Sequence, residues 1–465
     1  MRKFKRASFL LTMVIIAFVS VGVALSQENP ARRIISLYPA HTENLFRLGL
    51  SKEIIGVSPS EAFPPEVFKK PVYSYREDPE KIIAVDPDLV LIRPFIERKY
   101  PAFVEKLRDA GLRVVSMQPL NFDQMFNYWR KLGELTGRER EAEEMIEEFK
   151  LGLEKIKNIV RKIPPSKRKR VFFESVHKGP KTVAPGSIAD TALKLAGGIN
   201  VAEKDAMPRP NSTIAYYSKE KLLSHADEID VYIAQRGAMN RIKLRKIYEE
   251  SGYGAIKAIR NRQVYIIDEK IVSRPTYRLL YGIEELGRIV YPEYFNDISG
   301  FKNDKPLNRI EFAELIIKMT NTRYKTPNYR RYWKRDYITV KGQKHLYGYF
   351  KDIDYYKKEH LYAETAAFHS FVPLKSAFKF EPKGPFTRRD LAYAIFMAFD
   401  LPEPTQNVVL KDVRSDDPFY NHIVTVVGNG IMKAPKGYFK PQGEVTGNQA
   451  IEVIKKAMEI VGRKK

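Results

Sequence analysis

Arginine and tyrosine recur where short apolar runs end. Tyr38 and His41 follow the run Ile34 to Leu37, Tyr73, Tyr75 and Arg76 share one loop, and Arg93 and Phe95 follow Ile92. Further along, Arg209 sits between two prolines, Arg236 follows Gln235, and Arg274 follows Ser273. A guanidinium forks onto carboxylates and stacks on π faces, so such a set facing one cleft suits a large, flat, anionic ligand. Tyr38, Tyr73 and Tyr75 are also of the type that ligates ferric iron as phenolates. His41 is of the type that gives an axial imidazole to a haem or cobalt centre. Each also has a plainer reading, as a packing aromatic, a hydrogen-bonded histidine, a loop anchor at Arg274, or surface charge.

Other chemistries find little material. There is no cysteine, which removes disulfides, thiolate metal sites and thiol nucleophiles. The seven histidines show no HExxH spacing, so a bare-metal site is not expected. No GxSxG or phosphate-binding glycine loop is present. The expectation is a binding protein, with no catalytic residues and no intrinsic cofactor.

The elements that must position these residues follow from periodicity. The chain has 465 residues, about three domains at roughly 150 residues each. Residues 1–26 open with Arg2, Lys3, Lys5 and Arg6, continue through an uncharged run from Phe9 to Leu25, and end Ala24-Leu25-Ser26. This is the pattern of an export signal, cleaved near Ser26-Gln27, with an uncleaved membrane anchor as the alternative reading. The net charge of +24 then serves the envelope or an anionic ligand, and nucleic acid is not expected as a partner.

Short β-branched runs at Ile34 to Leu37, Ile54 to Val57, Leu89 to Ile92 and Val114 to Met117 alternate with helical stretches, which indicates a parallel sheet with crossovers. From Ala142 to Ile163 apolar residues fall at steps of three and four, and Pro164-Pro165 ends the run. A helix from Arg138 to Ile163 would be about 39 Å long and joins one α/β lobe to the next. A second series has strands expected at Val171 to Glu174, Asp230 to Gln235 and Val264 to Ile267, with a closing helix near Tyr277 to Val290. The fold class is α/β, with two Rossmann-like lobes joined by a single long helix and a mostly helical repeat domain after them. The expected divisions are 1–26 signal, 32–120 first lobe, 121–166 linking helices, 167–293 second lobe, and 294–465 repeats.

The segments RIISLYPAHTENLFRLGL, IIGVS and DPEKIIAVDPDLVLI resemble the opening lobe of the substrate-binding proteins that serve ABC importers of iron siderophores, haem and cobalamin. RVFFES, TVAPGSIADTALKLAGGINVA and SRPTYRLLYGIEELGRIVYPE are similar to the second lobe of that family. In the tail, FKPQGEVTGNQAIEVIKKAMEIV echoes FEPKGPFTRRDLAYAIFMAF and, more weakly, PLNRIEFAELIIKMTN, and these resemble S-layer homology repeats.

The resemblances imply an exported receptor in the periplasm or cell envelope. It would capture a ferric siderophore, haem or cobalamin between stiffly joined lobes and pass it to an ABC permease dimer. An exposed glutamate on each lobe docks the permease in that family, and the matching positions are Glu80 and Glu220. The tail would hold the protein on an anionic cell-wall polymer or S-layer material. Its helix-opening motif falls on Thr387, Arg388 and Asp390, with Arg309 as the matching arginine of the first unit, while the third unit reads Thr446, Gly447, Asn448, Gln449. Thr387 with Asp390 also reads as a simple capping box. A structural envelope protein that uses the lobes as scaffold, and an exported enzyme, are the alternatives.

Overall fold

The computed structural model describes residues 29–325, the paired strands Tyr337–Val340 and Gln343–Leu346, and residues 350–462. The expected export signal lies outside the described residues. Ile34–Ser36 (β1) and Leu89–Ile92 (β3) are buried along their whole length, as strands covered on both faces must be. They form the centre of a four-stranded parallel sheet with Ile54–Val57 (β2) and Val114–Ser116 (β4), in the order β2-β1-β3-β4. β2 is the last strand on its side of the sheet, and its Val57 is bridged beyond it to Val72.

The second lobe contains Arg170–Val176 (β5), Lys181–Val183 (β6), Ile199–Asn200 (β7), Met207–Pro208 (β8), Ile214–Tyr216 (β9), Val231–Arg236 (β10) and Val264–Asp268 (β11). Its sheet runs β11-β10-β5-β6-β9-β8, with β7 paired to β5. β11, β10, β5 and β7 are parallel, and β6, β9 and β8 extend the sheet antiparallel. The antiparallel extension escaped the sequence reading because its strands are two or three residues long, too short for a period to register.

Two helices span the region expected to be strand-free. Phe122–Thr136 opens on Asn121, whose side chain accepts from the Gln124 amide, and closes at Gly137 with φ 63°. Glu139–Arg161 then crosses between the lobes over 23 residues, about 34 Å, burying Ala142, Met145, Ile146, Phe149, Leu153 and Ile156 along one stripe.

The lobes are also joined by buried polar contacts. Arg278 of the second lobe forks onto Glu43 of the first, Nε to Oε1 at 2.8 Å and Nη2 to Oε2 at 2.7 Å, with the two side chains 8% and 2% exposed. Asn44 Nδ2 and Trp129 Nε1 both donate to the Pro275 carbonyl, at 2.9 and 3.0 Å.

The tail closes on itself. The amide of Leu307 donates to Val445 O, that of Val445 to Phe386 O, and that of Phe386 to Leu307 O, a cycle through three near-equivalent turns. Each turn opens a helix: Arg309–Met319, Arg388–Ala398 and Gly447–Gly462. Arg309 and Arg388 fasten one unit to the next, through Nε to Phe380 O and Phe439 O and through Nη2 to Pro373 O and Lys433 O, all at 2.8 Å. In the third turn Gly447 replaces the arginine, because a Cβ there would lie 1.9 Å from Phe301 O. The residues around Phe301 thus seat the last helix.

Tail and lobes share part of their packing. One apolar core runs from Leu45 through Phe149 and Leu286 to Phe312, Leu391 and Ile451. Tyr356 donates to Glu43 O at 2.9 Å and accepts at its own carbonyl from the Tyr281 hydroxyl. Arg288, 1% exposed, bonds Glu285 in its own helix and Thr322 O in the tail.

Candidate functional site

In open α/β sheets ligands collect at the carboxyl ends of the strands, and there the two lobes face each other. Pro94 holds Arg93 extended (φ −113°, ψ 157°) at the end of β3. Its guanidinium lies 5.2 Å from the Tyr38 ring and 4.8 Å from the Phe95 ring. The ladder continues from Phe95 to Tyr75 at 6.4 Å and from Tyr75 to Tyr100 at 4.9 Å, and the exposed Arg76 hydrogen-bonds Tyr100 with its guanidinium 5.6 Å from the Tyr75 ring. Tyr100 belongs to this face although it opens a helix rather than following a strand, so the search after strand ends missed it.

Across the cleft, Arg274 is half-buried, 3.9 Å from Glu269. Glu269 lies over Gly237, where a Cβ would collide with its carboxyl carbon at 1.7 Å, and accepts from the Ala238 amide. Burial raises the Tyr38 hydroxyl above its ordinary pKa, while Arg274 of the other lobe and Arg93 of its own oppose the rise. Tyr38 thus lies between cations of both lobes. Glu61 was also missed. It is 5% exposed, its Oε1 accepts from Thr42 Oγ1 at 3.0 Å and Ser58 Oγ at 2.7 Å, and burial pushes its carboxyl up to about 7 against the pull of Arg274. Nothing in one sequence marks a loop glutamate as buried.

The remaining predicted residues separate. Tyr73 lies across β2, where a Cβ on Gly56 would meet its ring at 2.5 Å, and is a packing aromatic. Arg209 is exposed on the β8–β9 hairpin, 5.5 Å from the Tyr216 ring. Arg236 ends β10 opposite Asp268 of β11. Since β8 and β11 are opposite edges of one sheet, Arg209 and Arg236 stand at opposite ends of the second lobe. The five arginines therefore do not converge, and Arg93 and Arg274 are the central two.

His41 requires correction as an axial ligand. It is fully buried, with Nε2 2.9 Å from Ile92 O and Nδ1 2.7 Å from the Tyr128 hydroxyl, so neither nitrogen is open to a metal centre. Desolvation lowers its pKa to about 4. Arg309 is likewise corrected from polymer contact to fastening, being 4% exposed with Nε and Nη2 bonded to carbonyls of the next unit. Thr387 and Asp390 are buried and complete a reciprocal capping box, and Arg388 bonds two carbonyls of the following unit. Glu80 and Glu220 are both exposed in the first turns of short helices, Glu80 2.9 Å from Lys106 Nζ.

A cavity of about 1140 Å³ lies elsewhere, between the connecting helix, the helix Leu279–Val290 and the tail. Its lining mixes acids and bases in nearly equal number, so it has no bias toward an anionic ligand. Among the described residues no group of three or more His, Asp or Glu could hold a metal ion, and no helix is long and apolar enough to cross a membrane.

Residues 34–271 match the family model of the periplasmic binding proteins, and residues 409–451 match the S-layer homology domain. The chain is 26% identical over 272 residues to an uncharacterized ABC transporter substrate-binding lipoprotein, YvrC, of Bacillus subtilis, covering 58% of this chain and 83% of that one. It is 24% identical over 264 residues to a vitamin B12-binding protein of Vibrio cholerae, covering 56% and 90%. Among solved structures, a possible iron-binding (periplasmic solute-binding) protein from Staphylococcus epidermidis aligns at 27% identity with a TM-score of 0.49, covering 56% of this chain and 99% of that one. The chain belongs to the periplasmic binding protein family, as an extracytoplasmic substrate-binding protein of the ABC-transporter type with an S-layer homology domain at its carboxyl end.

Proposed function

We propose that the protein captures an anionic metal chelate, a ferric siderophore, haem or cobalamin, between its lobes and hands it to an ABC permease dimer. The observation that carries this reading is Arg93 between Tyr38 and Phe95, with Arg274 acting on Tyr38 from the opposite lobe. The rings of Phe95, Tyr75 and Tyr100, 6.4 and 4.9 Å apart and inclined to one another, offer an aromatic wall for a macrocycle or an aromatic chelator, and the guanidinium groups supply charge complementary to carboxylates or phosphates. The vitamin B12-binding relative named above supports the class of cargo. Glu80 and Glu220, one on each lobe, would anchor the two permease subunits. The tail would hold the receptor at the envelope. With Arg309 buried in a unit-to-unit contact and Thr387 and Asp390 buried in their own capping box, any polymer contact at this motif falls to what Arg388 leaves exposed.

Fluorescence titration of the full chain with haemin, cyanocobalamin and a ferric hydroxamate tests this. One of the three should bind, and Arg93→Ala should weaken it by about tenfold or more, as expected for loss of a charge-assisted stacked contact. Failure of all three, or an unchanged affinity in Arg93→Ala, would contradict the reading.

A further inference from the structure

The segment that leaves β10 is held from within and bare on its outside. The Gly237 amide donates to Asn240 O at 3.0 Å, closing a turn against Glu269, which itself lies 3.9 Å from Arg274 in the cleft. Asn240 Nδ2 donates to Glu174 Oε1 at 3.2 Å and to Gln235 O at 2.9 Å, and Ile242 and Ile247 are buried in the second lobe. With these three side chains turned inward, their neighbours face solvent: Met239 is 64% exposed, Leu244 43% and Tyr248 40%. Leu244 and Tyr248 lie one turn apart on the helix Leu244–Tyr248 and so share a face.

The same stretch carries four exposed cations, Arg241, Lys243, Arg245 and Lys246. Arg245 pairs with Glu249 at 2.9 Å, and the next acid, Glu250, is taken by Lys219 of the neighbouring helix at 2.7 Å. Among the described residues Arg241, Lys243 and Lys246 have no carboxylate at ion-pair distance. Unpaired cations attract any polyanion, but apolar side chains exposed among them gain only where an apolar phase lies behind the charge. An anionic lipid surface offers that phase, with tyrosine favoured at the headgroup level, and a hydrated polymer does not.

The position agrees with that partner. Arg236 ends β10 at its carboxyl end, so the segment starts where the lobes face each other. Cargo passed to a permease leaves through the mouth of the cleft, which must then be turned toward the membrane. We propose that residues 239–248 form a membrane-contacting rim, with Met239, Leu244 and Tyr248 entering the interface of an anionic phospholipid surface and Arg241, Lys243 and Lys246 holding its headgroups. The orientation rests on the receptor reading of the cleft. The rim would keep the receptor on the membrane, mouth downward, before it meets a permease.

The full-length chain has no cysteine, so one introduced cysteine directs an environment-sensitive nitrobenzoxadiazole label. Leu244→Cys tests the rim, and Leu151→Cys, at a leucine 65% exposed on the connecting helix, is the control. On phosphatidylglycerol vesicles the label at 244 should shift to the blue and be quenched by spin-labelled lipid chains, with little response on phosphatidylcholine and none at 151. The triple variant Arg241→Gln, Lys243→Gln, Lys246→Gln should weaken vesicle affinity by about a hundredfold, at about fivefold per cation. The charge-matched triple Arg140→Gln, Lys155→Gln, Lys162→Gln on the connecting helix should change it little. Equal responses at both labels, or equal losses in both triples, would mean adsorption through the overall charge of +24 and overturn the rim. Binding without chain quenching, matched by dextran sulfate, would assign the face to a polyanion and overturn the lipid reading. The vesicles hold neither permease nor cargo, so failure of every chelate to bind would count against the receptor reading alone.

Discussion

Replacing Arg278 by Met should uncouple the two lobes. The guanidinium makes two bonds to Glu43, at 2.8 and 2.7 Å, and sits 3.9 Å from the Phe63 ring, while the Glu43 side chain is 2% exposed. Removing one partner of a buried pair leaves the other charged and desolvated, which costs about 3 to 5 kcal/mol. With an m value of about 3 kcal/mol/M, that corresponds to a fall of about 1 to 1.7 M in the urea midpoint. Trp129 is a local reporter, since it is fully buried and its Nε1 donates to Pro275 O, three residues from Arg278. A Trp333→Phe background leaves Trp129 as the single tryptophan, so its emission follows this joint even where the whole chain does not unfold in one step. The double variant Glu43→Leu with Arg278→Met should regain most of the loss, because apolar groups of similar volume replace a buried ion pair at little cost. A loss below about 1 kcal/mol in the single variant, or a double variant as unstable as the single, would refute the assignment of this pair as the weld between lobes.

His41 makes the fold acid-sensitive. Its pKa falls from 6.5 in the unfolded chain to about 4 in the folded one, so its contribution is fully present above pH 6.5 and is lost as pH falls through 4. Urea midpoints of His41→Asn should show a shallower decline across that window than wild type, by about one proton. Arg388→Ala should leave the Phe439 and Lys433 carbonyls without their donor, destabilising the last tail unit by about 1 to 3 kcal/mol. Faster hydrogen exchange at the Phe439 and Lys440 amides, which Asp412 accepts, would report it, and Arg388→Lys should not restore protection because it lacks the fork. Changing Glu80 and Glu220 together to Gln should abolish uptake of the cargo in cells with ligand affinity unchanged, and normal uptake would remove these acids from permease docking.

What the sequence revealed divides by the range of the interaction. β1 to β4, and the buried stripe from Ala142 to Ile156, were legible because a short β-branched run and a three-to-four spacing are properties of neighbouring residues. Looking just past strand ends also found Tyr38, Arg93, Phe95 and Arg274. The same rule could not tell that Tyr73 would lie flat on Gly56, or that His41 would turn both nitrogens inward. Glu43 with Arg278 was out of reach because the partners are 235 positions apart. The contacts between tail and lobes were out of reach because a change of texture after Pro292 reads as a separate domain, whereas the core continues across it. In the tail the repeat was visible, but whether its arginine faces a polymer or a neighbouring carbonyl depends on how units stack.

The closure of the tail changes how the protein bears tension. A chain of stacked repeats pulled from its ends peels one unit at a time. Here the receptor enters the tail just ahead of Leu307, and the amide of Leu307 is bonded to Val445, at the mouth of the last helix. Force between a docked receptor and the carboxyl-terminal helix would therefore fall on the antiparallel bridge between Pro306 and Thr446, at the end where both segments leave it. With the third turn bonded to both others, that bridge cannot part without loosening the bonds at Phe386 as well. The tail yields as one body, a mechanical fuse with a single threshold in place of a ladder of small steps.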